Sequence, residues 1–162
     1  MSTTHSDTGR VTLLRAIQIE ARNAGVYDSL SQLFQGYDDS VTAIFREMAD
    51  EERQHGAVLE QRYRERFGPL TLPEGEPKEV IEAPDLGDPE AMIFDSMTIE
   101  QALEAGLLAE EAAREFYRRE VARTSDPELQ KVYRELAEFE ETHVRLLKEK
   151  MAERRRTDSA SR

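Results

Sequence analysis

One four-residue pattern occurs twice, each time midway along a long stretch of helical periodicity: Glu52-Arg53-Gln54-His55 and Glu140-Glu141-Thr142-His143. Residues at i and i+3 of an α-helix point the same way, so each pattern aims a carboxylate and an imidazole at one spot. Two further stretches each carry one glutamate on an apolar stripe, Glu20 and Glu110. Each is followed seven residues later by a tyrosine, Tyr27 and Tyr117. A chain that buries all of these must converge four helices on one polar layer, which predicts an all-α four-helix bundle. Four carboxylates and two imidazoles meeting there are the donor set of a two-metal carboxylate site, with iron as the expected metal.

The 162 residues suffice for one domain with a real core. Charged residues make up 35% and aromatics 7%, with no Trp, a mixture that favours long amphipathic helices over sheet. No apolar run is long enough to span a membrane, and Met1 to Arg10 lacks the apolar core of a signal peptide. Cysteine is absent, which excludes disulfides, thiolate zinc sites and iron–sulfur or rubredoxin-type centres. The expected compartment is the cytoplasm. A net charge of −12 argues against nucleic acid as a partner. Most of the acidity is expected simply to solvate outer helix faces.

Residues 1–9 are small and polar and are expected to be disordered. The bundle is expected over 10–155 and a disordered tail over 156–162. The first helix runs from about Arg10 to Gln35 with Leu13, Ile17, Glu20, Ala24, Tyr27, Ser31 and Phe34 inward, a heptad-like seam. Gly36 ends it, and Asp38 or Asp39 caps a second helix from about Ser40 to Arg66, with Val41, Phe45, Met48, Glu52, His55 and Leu59 inward. Residues 68–97 hold five of the six prolines and lack strong periodicity. Such a length suits a crossover along the bundle, with one short helix around Pro89 to Phe94, or an exchange of helix pairs between two subunits. A Thr98-x-x-Gln101 capping box opens the third helix, whose expected stripe is Leu103, Leu107, Glu110, Arg114, Tyr117 and Val121. Ser125-Asp126-Pro127 starts the fourth, with Leu129, Tyr133, Leu136, Glu140, His143 and Leu147 inward.

The halves repeat. Glu20 and Tyr27 map on Glu110 and Tyr117 at an offset of 90, and the second helix maps on the fourth at an offset of 88. A helix pair repeated with its polar break at the same depth makes a pseudo-twofold bundle with the site on the axis. Glutamate is 24 of 162 residues, yet finding it three before both interior histidines by accident has a chance of only about 2%. Four ionised glutamates carry −4, which two divalent irons neutralise; without metal they repel and stay partly protonated. Tyr27 and Tyr117 are candidates to hydrogen-bond a ligand carboxylate or to take part in electron transfer. Arg114, on the inward stripe beside Glu110, is expected as an ion partner outside the ligand set or as a cation snorkelling at the bundle end. Glu51, Glu111 and Glu141 point about 100° away from the ligands and are expected to be solvated.

With Glu20…Tyr27, Glu52-x-x-His55, Glu110…Tyr117 and Glu140-x-x-His143 in place, the chain resembles the ferritin-like superfamily over about residues 10–155, closest to its rubrerythrin-like branch. The resemblance implies two iron ions held by these six Glu and His residues, with Glu52 and Glu140 bridging and Glu20 and Glu110 terminal. Manganese is accepted by the same ligands. It also implies peroxidase or ferroxidase activity with hydrogen peroxide or oxygen, and a homodimer. Rubrerythrins proper carry an extra glutamate where this chain has Ala113, and a four-cysteine rubredoxin-type site that this chain lacks. Electrons for a peroxidase cycle would therefore come from an external donor protein or from Fe(II) itself. The place of the haem-ligating methionine of bacterioferritin is Arg53, so haem is not expected. The rival readings are an iron-storing subunit of a cage or encapsulated cargo, a two-metal oxygenase, and a metal-free helical scaffold.

Overall fold

The computed structural model describes residues 3–70 and 97–160, the first six of these as helical backbone alone. They form four helices: α1 (Thr3–Phe34), α2 (Asp39–Phe67), α3 (Ile99–Arg123) and α4 (Pro127–Ala160). Each boundary has a local cause. The Asp38 carboxylate accepts the Val41 N–H at 3.0 Å at the start of α2. Both bonds of the Thr98–Gln101 capping box are made at the start of α3. Asp126 accepts the N–H groups of Glu128 and Leu129, one residue before Pro127 opens α4. Gly36 and Gly68 sit at φ 78° and 83°, where a side chain would be strained, and turn the chain after α1 and α2.

Contacts along the helices set their directions. Phe34 stacks on Phe45, and a Cβ on Gly56 would lie 3.6 Å from the Cβ of Glu20, so α1 and α2 are antiparallel. Arg154–Glu100, Lys148–Glu111 and Arg114–Glu141 do the same for α3 and α4. Thr12–Glu120 and Tyr27–Glu110 make α1 and α3 antiparallel; Glu51–His143 and Arg66–Asp126 do so for α2 and α4. It follows that α2 and α3 point the same way, and α2 ends at the opposite end of the bundle from where α3 begins. Most of the crossover expected over 68–97, and the short helix around Pro89, lie outside the described residues. No helix of the described chain is long and apolar enough to cross a membrane.

The apolar core is divided in two. One cluster gathers Leu13, Ile17, Leu59, Tyr63, Tyr117, Tyr133 and Leu136; the other gathers Tyr27, Leu30, Phe45, Met48, Leu103 and Leu147. The polar positions of all four helices fall between the two, as the matched interruptions in the seams require.

Three expectations need correction. First, α1 begins at Thr3 rather than about Arg10, so residues 3–9 are helical. The first turns are anchored by Arg10, whose Nε donates to the Tyr63 hydroxyl at 2.8 Å, and a Cβ on Gly9 would meet Phe67 and Leu129. Second, α4 runs through Ala160, past the expected end at Arg155. Arg154 is held by Asp38 and Glu100, each at 3.0 Å, and the Thr157 and Ser159 hydroxyls bond carbonyls one turn back. Third, the α3 stripe runs through Gly106, Ala113 and Glu120, leaving Leu107, Arg114 and Val121 half-buried at its side. Gly106 faces inward between Tyr27 and Leu147, where a Cβ would lie 3.4 Å from each and a longer side chain would not fit.

Two leucines of α3 therefore carry unequal weight. Leu103 is fully buried and Leu108 is 53% exposed. Leu103→Ala is expected to cost about 2–5 kcal/mol in chemical denaturation, and Leu108→Ala less than about 0.5 kcal/mol. Equal losses would contradict the packing described.

Candidate metal centre

The four helices place Glu20, Glu52, Glu110 and Glu140 in the layer between the apolar clusters, each with no exposed surface. His55 and His143 are buried with them. Two groups of donor atoms form, Glu20–Glu52–His55–Glu140 and Glu52–Glu110–Glu140–His143, each within 4.8 Å of one another. The groups share Glu52 and Glu140. The structure thus brings together all six residues expected at the site, with the two motif glutamates in the middle and one single glutamate and one histidine on either side.

Each tyrosine reaches across the pseudo-twofold axis. The Tyr27 hydroxyl of α1 donates to Glu110 of α3, and the Tyr117 hydroxyl of α3 donates to Glu20 of α1. Tyr27 stacks on Phe45 and Tyr117 on Tyr133, positions related by the same offset as the helices that carry them. Burial first, then the neighbouring carboxylates, push both phenols well above the ordinary range, so both keep their protons and act as donors.

The remaining oxygens face each other or the imidazoles. His55 Nδ1 is 3.3 Å from Glu20 Oε2 and 3.6 Å from Glu52 Oε2. His143 Nδ1 is 3.2 Å from Glu110 Oε2, 3.3 Å from Glu52 Oε1 and 3.7 Å from Glu140 Oε2. Most of these distances allow attraction without a well-directed hydrogen bond. Glu20 Oε2, His55 Nδ1 and both oxygens of Glu52 and of Glu140 are buried without a hydrogen-bond partner. Polar atoms left unpaired in a core are costly. Hard carboxylate oxygens and imidazole nitrogens converging in two groups with two shared members fit a pair of divalent cations.

Protons occupy this place in the metal-free protein. Burial pushes Glu20 and Glu140 well above the usual carboxylate range. Burial also opposes ionisation of Glu52, but the imidazoles of His143 and His55 outweigh it and hold that carboxyl down at about 2. Burial likewise opposes the charge on His55, and Glu20 and Glu52 overcome it, raising the imidazole to about 9. His143, beside Glu110, Glu140 and Glu52, is pushed up further against the same opposition.

One contact overturns a sequence expectation. Glu51, expected to be solvated, lies on the α4 side of α2 and places Oε2 2.6 Å from His143 Nε2, with 43% of its side chain exposed. A rotation of about 100° away from the site on one helix turns a residue toward the neighbouring helix, and it was this neighbour that periodicity alone could not identify. Glu111 and Glu141, half-buried like Glu51, pair with Lys148 and with Arg114 and Arg118 and, among the described residues, touch no site residue. Arg114 is the ion partner of Glu141, at 2.8 Å, outside the ligand set.

The proton distribution has a sign that can be tested. His55, raised from 6.5, adds stability that is complete below about pH 6.5 and lost as pH rises through about 9. The raised Glu20 and Glu140 act in the same direction, favouring the fold while protonated. Glu52 works at the other extreme, its contribution present above 4.5 and lost as pH falls through about 2. The melting temperature of chelator-treated protein should fall between pH 6.5 and 9, and saturating Mn(II) should remove that fall. Circular dichroism melts would decide, and a flat profile without metal would contradict the proton assignment.

The sequence pattern of the Rubrerythrin family matches residues 12–154. Two solved structures share the fold. An uncharacterized conserved protein from Magnetospirillum magnetotacticum MS-1 is 24% identical, with 88% of this chain and 92% of that chain covered and a TM-score of 0.70. A hypothetical protein from Pyrococcus furiosus is 26% identical, with 88% and 87% covered and a TM-score of 0.69. No functionally curated protein matches the chain. The match across nearly the whole bundle, on a ferritin-like fold with this buried Glu/His layer, places the chain in the rubrerythrin family.

Proposed function

We propose that the chain is a di-iron carboxylate protein that binds Fe(II) and oxidises it with hydrogen peroxide or oxygen, a peroxidase or ferroxidase serving iron handling and defence against oxidative stress. The observation that carries this reading is the set of buried, unpartnered donor atoms in two groups that share Glu52 and Glu140. Glu20, Glu52, His55, Glu110, Glu140 and His143 are the proposed ligands, with Glu52 and Glu140 common to both metals. A pair of bound Fe(II) ions would supply one electron each, so that hydrogen peroxide and two protons become two waters while two Fe(III) form.

The chain's own residues prepare the site for that exchange. The Tyr27 and Tyr117 hydroxyls hold Glu110 and Glu20 by one oxygen and leave the other turned toward a histidine. The apolar clusters on either side keep bulk water from the layer. Glu20 and Glu140, protonated in the metal-free state, release protons when a cation takes their place. The chain has no cysteine with which to hold a rubredoxin-type electron relay. The reductant is therefore an external donor protein or further Fe(II).

Anaerobic addition of Fe(II) to metal-free protein should saturate at about two ions per chain, as a site of two shared groups requires. Peroxide should then oxidise the bound iron faster than air does. The Glu52→Ala, Glu140→Ala double variant should lose this binding. Uptake far beyond two would favour an iron-storage role, and unchanged binding by the double variant would sink the site.

A further inference from the structure

The repeat that relates the two halves fails at several places beside the site, and one of them touches a histidine. Glu51 precedes Glu52, and the residue that precedes Glu140, at the same offset of 88, is Phe139. On one side, His143 is gripped at both nitrogens: Nδ1 faces Glu110, Glu52 and Glu140, and Nε2 lies 2.6 Å from the Glu51 carboxylate. On the other, His55 Nδ1 faces Glu20 and Glu52, but the matching neighbour is an aromatic ring. The Phe139 ring lies 4.7 Å from that of His55, tilted by 44°. Among the described residues no carboxylate engages His55 Nε2. Exposure follows the same division: the side chain of His55 is 11% exposed and that of His143 is 3%.

A carboxylate on the far nitrogen of a metal-binding imidazole fixes its tautomer and orientation and makes it a stronger donor. Removing one lowers metal affinity by about 10–100-fold. Phenylalanine supplies ring contact and no acceptor. Buried Asn23 and Ala113, one turn after Glu20 and Glu110, differ as well; the shared Glu52 and Glu140 contribute to both positions, and Glu20 and Glu110 are each held by one tyrosine, so those terms balance. The outer partner of the histidine does not.

We infer that the two metal positions are unequal: Glu51 orients His143 and makes the Glu52–Glu110–Glu140–His143 position the tight one, while Phe139 leaves the Glu20–Glu52–His55–Glu140 position weaker and exchangeable. This rests on the reading that the layer holds two divalent cations. Glu51 is a positioning residue, acting through His143. Metal arrives at and leaves from the His55 side, beside the half-exposed Phe139 ring.

The test is anaerobic Co(II) binding to the metal-free full chain, followed by absorption in competition with a chromophoric chelator. Two binding constants at least about tenfold apart are expected. Glu51→Gln should weaken the tighter by about 10–100-fold and leave the weaker nearly unchanged. Phe139→Glu, which restores a carboxylate at the matching place, should strengthen the weaker. Should that variant fail to fold, Glu51→Gln on an exposed helix face still decides. With one equivalent of Zn(II), nitrogen-15 spectra should show the ring of His143 shifting before that of His55. Equal constants in the unmodified chain, no effect of Glu51→Gln, or His55 responding first would overturn the inequality and leave the two-metal reading standing. Failure to bind any divalent cation would overturn both.

Discussion

Four carboxylates with no exposed surface in the middle of a helical bundle set the terms for everything around them. Transferring one carboxylate from water into a core is costly enough that, left alone, it takes up a proton instead. Glu20 and Glu140 follow that rule. Glu52 escapes it because two imidazoles face it, and its ionisation in turn keeps those imidazoles charged. The layer is therefore balanced internally, proton against carboxylate, in a form that divalent cations can take over. Its stability has to be supplied from elsewhere. The two apolar clusters on either side of it, each drawing on all four helices, supply it by burying apolar surface.

The same layer dictates the topology. Each half contributes one single glutamate and one Glu-x-x-His. For the two pairs to present their polar breaks to a common centre, α1 must face α3 and α2 must face α4. The observed antiparallel contacts across both of those interfaces meet this condition. They also leave α2 and α3 pointing the same way, so the halves cannot be joined by a tight turn. The proline-rich stretch between Phe67 and Ile99 has a length that the arrangement needs. The crossed tyrosines express the same symmetry at the level of single bonds, since each half fixes the terminal glutamate of the other.

The fold and the convergence of the six Glu and His side chains were legible in the sequence because the signal was periodic. Polar residues interrupting heptad seams at matched depth can be read without knowing which helix lies beside which. What escaped was information that depends on neighbours. On α3, periodicity favoured Leu107 over Gly106 by apolarity, whereas the space beside Tyr27 and Leu147 is narrow and leaves no room for a leucine. That slip carried Arg114 inward on paper, when it pairs with Glu141. Glu51 was set aside because it points off the seam, yet off the seam of α2 lies α4 and His143. The helix ends were also placed short. Gly9 and the run from Thr157 to Ser159 have weak intrinsic propensity, and tertiary anchors at Arg10 and Arg154, with hydroxyl-to-carbonyl bonds, extend the helices past that point.

A repeat built around shared ligands has a particular consequence for chemistry. Glu52 and Glu140 belong to both donor groups, so a change in either alters both positions together. Distinguishing one cation from the other must then fall to residues that only one group uses. The unshared glutamates are matched, each with a buried tyrosine on it. The unshared histidines are not matched, because one leans on a half-exposed phenylalanine ring and the other on a carboxylate. Two positions of equal affinity would fill and empty to the same extent. On the proposed reading, unequal affinity would let one ion stay while its neighbour exchanges, and Glu51 against Phe139 is a difference outside the ligand set that would serve this.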